Sequence, residues 1–143
     1  MYAKRISVSV RRRPRVGRMY VELEVGADLD GPYEGLTMEL DTGSDDTALP
    51  RRFLRELGVR PLGWDRYELA DGRRVRRQYG IAFLRLRGEV GATRVMFCGP
   101  RDAPVLGVIA LEELGYLMDV KRGGLRKFQR QMISTRRAGV PVA

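Results

Sequence analysis

Apolar and polar residues alternate in short runs along most of the chain. Ile6 to Val10 is the first such run. Met19, Val21, Leu23 and Val25 form the next, Leu36, Met38 and Leu40 a third, and Thr93, Val95 and Phe97 a later one. A period of two is that of a strand with one face buried. Turn residues separate the runs. Arg11 to Arg15, with Pro14, breaks the first as a loop or an exposed edge, and Gly26 to Gly35, with Asp28, Asp30, Gly31 and Pro32, divides the second from the third. Ala70-Asp71-Gly72 is a hairpin signal between Trp64–Leu69 and a return strand from Arg73 through Val75 towards Ile81, Phe83 and Leu86, and a further turn is expected near Gly88 to Gly91.

Helical spacing is rare. Pro50, then Phe53, Leu54 and Leu57 on one face before Gly58, fits a short helix over residues 50–57, with an extended segment as the alternative. Val108 to Leu114, ended by Gly115, reads as a second. Tyr116 to Val120 and Leu125 to Phe128 read as closing strands around Arg122-Gly123-Gly124. Many short strands with one or two brief helices predict a mostly β, closed barrel-like domain. No internal repeat or linker interrupts the chain, so residues 1–143 are read as a single domain with its core at about residues 18–128. The tail from Gln129 to Ala143 has no sustained period, which leaves a flexible end and a strand at a dimer interface both open.

Composition narrows the chemistry. The 143 residues contain no histidine, which removes Ser-His-Asp and Cys-His nucleophile systems and the usual His-containing zinc sites, while carboxylate chemistry survives. Cys98 is the only cysteine, so no intramolecular disulfide forms, and its apolar surroundings predict a buried thiol. The N-terminus lacks an apolar signal region, and no apolar run approaches the roughly 20 residues that span a bilayer. A soluble, cytoplasmic protein is expected. The net charge of +9 comes from 27 Lys and Arg against 18 Asp and Glu, clustered in Arg11–Arg18, Arg73–Arg77 and Lys121–Arg137. Such clusters fit nucleic acid or acidic substrates, or simply a solvated basic surface.

The most informative stretch is Leu36 to Pro50, where an alternating strand runs into Asp41-Thr42-Gly43-Ser44-Asp45-Asp46. Gly43 can take a positive φ, and the short polar side chains can bond nearby backbone, so Asp41 is placed on a tight turn at the mouth of a core. A bare Asp-x-Gly is usually just a turn. The longer pattern of residues 40–49, apolar-Asp-Thr-Gly-Ser-Asp-Asp-Thr-x-Leu, resembles the active-site loop of retropepsin-like aspartic proteases, including the double Asp of retroviral members. The order of the later pieces, a hairpin and then Val105-Leu106-Gly107 ahead of a short helix, is similar to that family over about residues 18–128.

The resemblance implies an acid protease fold in a single-domain cellular member of the family, with Asp41 catalytic. It further implies Thr42 bonding across a dimer axis, Gly43 allowing close backbone approach, and Val105, Leu106 and Gly107 packed beside the loop. Asp45 and Asp46 would bind substrate main chain, and the hairpin carrying Asp71 and Gly72 would be a flap closing over peptide. Arg73, Arg74, Arg76 and Arg77 on that flap could favour acidic peptides. Ser44 would donate to the charged form of Asp41. One departure stands out: retroviral members carry an Arg after the glycine, paired to the first of the two Asp residues, where this chain has Val108.

Peptide hydrolysis of this kind needs two carboxylates sharing a proton, one to activate water and one to polarise the scissile carbonyl. The sequence holds one Asp-Thr-Gly. A homodimer with a two-fold axis through the site is therefore expected, hydrolysing a peptide or unfolded protein without a cofactor, metal or membrane. The alternatives are a dimeric peptide-binding module of the same fold that lacks catalysis, and a basic nucleic-acid-binding β-barrel in which the Asp loop is only a turn. The latter has no recognised motif and few aromatics near its basic clusters.

Overall fold

A computed structural model describes residues 19–131; the expected strand Ile6–Val10, the Arg11–Arg18 cluster and the tail beyond residue 131 lie outside the described residues. The described chain is mostly β. Strand β1 (Met19–Gly26) pairs antiparallel with β2 (Tyr33–Leu40) from Met19 opposite Leu40 to Gly26 opposite Tyr33. Val21, Leu23 and Val25 are buried on one, and Leu36, Met38 and Leu40 on the other, as the period of two requires. The connection between them is shorter than expected. Backbone pairing continues through Tyr33, Glu34 and Gly35, where the side chains no longer alternate.

The rest follows as β3 (Thr47–Pro50), α1 (Arg51–Leu57), β4 (Gly63–Glu68), β5 (Arg74–Leu86), β6 (Glu89–Cys98), β7 (Val105–Leu106), α2 (Val108–Glu113), β8 (Tyr116–Asp119) and β9 (Gly124–Lys127). The helical alternative holds at residues 51–57, where Phe53 and Leu54 are buried and Gly58 closes the last turn in the left-handed conformation. Seven strands form one sheet in the order β1-β2-β7-β3-β6-β5-β4, and β1 also pairs with β5 through Glu24–Arg85 to Gly26–Phe83. The sheet therefore closes into an irregular ring that leaves β4 outside.

Three expectations change. Thr47–Pro50, where no strand was expected and Pro50 was placed in the first turn of a helix, is a strand buried along nearly its whole length; four residues covered on both faces show no alternation. The turn after β5 is the two-residue Arg87-Gly88, both with positive φ, 50° and 85°, and Gly91 lies inside β6. Strands β8 and β9 pair only with each other and do not close the ring.

The core inside the ring includes Leu49, Phe53, Leu54, Leu84, Phe97 and Leu106, each almost fully buried. A smaller cluster of Ala48, Met96 and Cys98, joined by Tyr67 and Val105, lies apart from it. Residues Val95 to Cys98 of β6 are consecutively buried because the strand packs on both faces, which explains their unbroken apolar run. Among the described residues no helix is long and apolar enough to cross a membrane.

Candidate active site

The Asp41 loop is shaped by a crossing of the chain. The short β7 lies between β2 and β3, parallel to the first at Leu40–Leu106 and antiparallel to the second at Ala48–Val105. The loop leaving β2 must pass the end of β7 to enter β3. Backbone bonds hold it there: Asp41 N–H donates to Leu106 O at 3.1 Å, Val108 N–H to Ser44 O at 2.9 Å, and Ile109 N–H to Asp45 O at 3.2 Å. Gly107 N–H donates to Thr47 Oγ1 at 3.1 Å. A Cβ at position 107 would stand 2.4 Å from Asp45 O and 2.5 Å from Asp46 O, so only glycine fits this crossing.

Within the loop, both oxygens of the Asp41 carboxylate are oriented. Oδ1 accepts from Gly43 N–H at 2.9 Å and Oδ2 from the Ser44 hydroxyl at 3.0 Å, while Ser44 N–H donates to Asp41 O at 3.1 Å. Asp41 and Ser44 are part-exposed and Thr42 and Gly43 are exposed. The carboxylate is thus a fixed acceptor on the protein surface. Thr47, which sequence reasoning did not single out, is fully buried and serves the loop through its hydroxyl. The available signal was a lone polar residue heading the apolar pair Ala48-Leu49.

Asp45 is exposed, and among the described residues no ion pair forms at its carboxylate. Asp46 is half-buried with a different environment. Burial pushes its carboxyl above the ordinary range; Arg94 pulls it down, and Asp45 and Asp65 push it further up. Arg94 Nε lies 3.9 Å from Asp46 Oδ2, while Arg94 Nη2 donates to Asp65 Oδ2 at 2.6 Å. The Tyr67 hydroxyl sits in the same group, and burial raises it.

The hairpin of β4 and β5 turns at Ala70-Asp71-Gly72, with Gly72 in the left-handed region and Gly72 N–H bonded to Leu69 O at 2.9 Å. Asp71 accepts from the backbone N–H and Nε of Arg73 at 3.0 and 2.7 Å, which lowers its carboxyl. Among the described residues no hydrogen bond or ion pair joins this tip to the Asp41 loop. At its root, Arg77 grips Asp102 with two bonds, Nε–Oδ2 at 2.7 Å and Nη2–Oδ1 at 3.2 Å, and Asp102 also accepts from Gly99 N–H at 2.6 Å. Sequence reasoning missed this pair, which lies 25 residues apart in the chain.

Cys98 borders a cleft of about 330 Å³ lined also by Pro50, Arg51, Gly99, Pro100 and Pro104, away from Asp41. Burial pushes its thiol up to about 12, so it is a packing residue rather than a nucleophile. Among the described residues no group of three carboxylates or thiols converges on a metal position. No family model matches the chain, and no curated protein matches it. Among solved structures, the chain is similar to a retropepsin-like aspartic protease from Rickettsia conorii, with 17% sequence identity and a TM-score of 0.44, over 75% of this chain and 91% of that one.

Proposed function

We propose that this chain is one half of an aspartic endopeptidase, completed when two copies bring their Asp41 side chains together across a two-fold axis. The observation that carries the reading is the carboxylate held at the surface by Gly43 N–H and the Ser44 hydroxyl, on the loop whose residues 40–49 resemble the retropepsin-like pattern. A single such group cannot be acid and base at once. In the pair, the ionised carboxylate takes a proton from water as the water attacks the scissile carbon. The protonated partner donates to the carbonyl oxygen, giving a diol. As the diol collapses, that carboxylate takes a hydroxyl proton back, the first carboxyl gives its proton to the nitrogen, and the C–N bond breaks. The pair again shares one proton.

The exposure of Thr42 and Gly43 supports an incomplete site, because residues meant to meet a second copy and a substrate are open in a single chain. In this reading Asp45 and Asp46 bind peptide main chain, and the hairpin tipped by Asp71 and Gly72 closes over it to exclude water. The substrate class is an extended peptide or unfolded protein, and the chemistry calls for no cofactor.

The test is cleavage of a peptide library across acidic pH by the full chain and by Asp41→Asn, with sedimentation on both. Cleavage by the wild type, lost in Asp41→Asn while the dimer persists, is the expected outcome. Undiminished cleavage by the variant removes Asp41 from the mechanism.

A further inference from the structure

We infer that Arg94 is a positioning residue that clamps the Asp46 end of the active-site loop to the β4–β5 hairpin through Asp65. The proposed peptidase activity is needed for one arm of its test only.

The need for such a clamp follows from the loop itself. Backbone bonds tie it down at Asp41, Ser44 and Asp45, and the Thr47 hydroxyl accepts from Gly107 N–H, but none of these bonds falls on Asp46. The cation beside Asp46 comes from β6. Arg94 precedes Val95, the partner of Thr47 across the β3–β6 ladder, so its stem starts next to the point where the loop becomes a strand. Its guanidinium lies over the Tyr79 ring, 3.6 Å from the centroid, which restricts where the fork can point.

The fork then meets two elements. One arm is fully engaged with Asp65 on β4 at 2.6 Å. The other, Nε, is buried beside the Tyr67 hydroxyl, makes no hydrogen bond of normal geometry, and stands 3.9 Å from Asp46 Oδ2. A buried donor left unpaired is costly, and a shift of about 1 Å would bring Asp46 into a normal bond. The geometry therefore describes a bridge made on the hairpin side and open by about 1 Å on the loop side. Closing it moves Asp46 towards the hairpin. Lysine cannot substitute, because a single ammonium lacks the two-armed fork.

The experiment compares the full-length wild type with Arg94→Gln, Arg94→Lys and Asp65→Asn. It follows amide hydrogen exchange at residues 45–48 and in β4, and KM against pH for a cleaved peptide. Arg94→Gln is expected to speed exchange in both segments together and to raise KM about tenfold with little change in kcat, the scale of one charge-assisted hydrogen bond. It should also move the acid-side rise in KM to higher pH. Asp46 would lose the cation that favours its ionised form, leaving burial, Asp45 from its own loop, and Asp65 and Tyr67 from β4. Arg94→Lys should restore the pH profile but not protection in β4. Exchange that changes in β4 alone, or a KM profile that does not move, overturns the inference. Should Arg94→Gln fail to fold, Asp65→Asn decides: faster exchange at residues 45–48 supports the clamp and unchanged exchange refutes it. A wild type that cleaves nothing ends the peptidase reading, while the exchange arm still decides the clamp.

Discussion

Asp41 is defined by its two donors, and they are not equivalent. Gly43 contributes a backbone N–H that every replacement but proline keeps, whereas Ser44 contributes a hydroxyl that can be deleted. The hydroxyl holds Oδ2 in place, so its loss frees one side of the carboxylate to turn. Ser44→Ala should accordingly lower kcat for a cleaved peptide by roughly three- to tenfold, the scale of one hydrogen bond, and an unchanged kcat would remove the hydroxyl from positioning Asp41. Residue types were the most legible feature of the site, since Asp41 to Ser44 were identified from turn chemistry and resemblance alone. Gly107 was expected beside the loop from the resemblance, but its strict need for glycine, and the part played by Thr47, were not. Their importance comes from a crossing of two segments about 60 residues apart, and no local pattern announces which glycine has a carbonyl pressed against it.

At the scale of elements, the run Arg73–Arg77 shows how a charge cluster can be absorbed by the fold. Arg73 pairs with Asp71, Arg76 lies over Trp64 at 5.2 Å, and Arg77 is taken by Asp102, leaving less of the run to meet an acidic peptide or nucleic acid than its charge implies. The Arg77–Asp102 pair ties the hairpin root to the segment leading into β7, and a Cβ at Gly99 would strike the guanidinium at 2.8 Å. Its carboxylate is nearly buried, so Asp102→Asn should cost roughly 3 kcal/mol of stability near neutrality, the low end for breaking a buried pair.

The pH dependence has a definite sign. The Arg77 bond holds the Asp102 carboxyl below its ordinary range, so the pair's contribution is fully present above about pH 4 and disappears as pH falls through the depressed folded value. Denaturant unfolding from pH 7 downward should show wild type and Asp102→Asn converging in acid. A constant gap would mean the ionised form is not what stabilises the fold.

For the whole molecule, the proposed dyad makes activity depend on assembly. Specific cleavage should fall on dilution through the concentration range in which sedimentation shows dimers separating. Adding excess Asp41→Asn to wild type should suppress cleavage as mixed dimers form, each with one competent carboxylate. Specific activity that stays constant where the protein is monomeric would require a second carboxylate from the same chain.

The amino-acid sequence by itself determined which faces of β1 and β2 are buried, where α1 and α2 end, and that a lone Asp-Thr-Gly-Ser follows an alternating strand; on β5 it pointed to Ile81, Phe83 and Leu86, whereas the buried face is Ala82, Leu84 and Leu86. The features so determined are properties of neighbouring residues, written in a period of two or in turn chemistry. The tertiary structure alone decided that the sheet closes through β1 and β5 and that β7 slips between β2 and β3. It also decided that Gly107 must be glycine, and that Arg94 and Arg77 serve Asp65 and Asp102. Each of these depends on segments far apart in the chain meeting in space, and a local pattern fixes what a residue needs without fixing which distant residue supplies it.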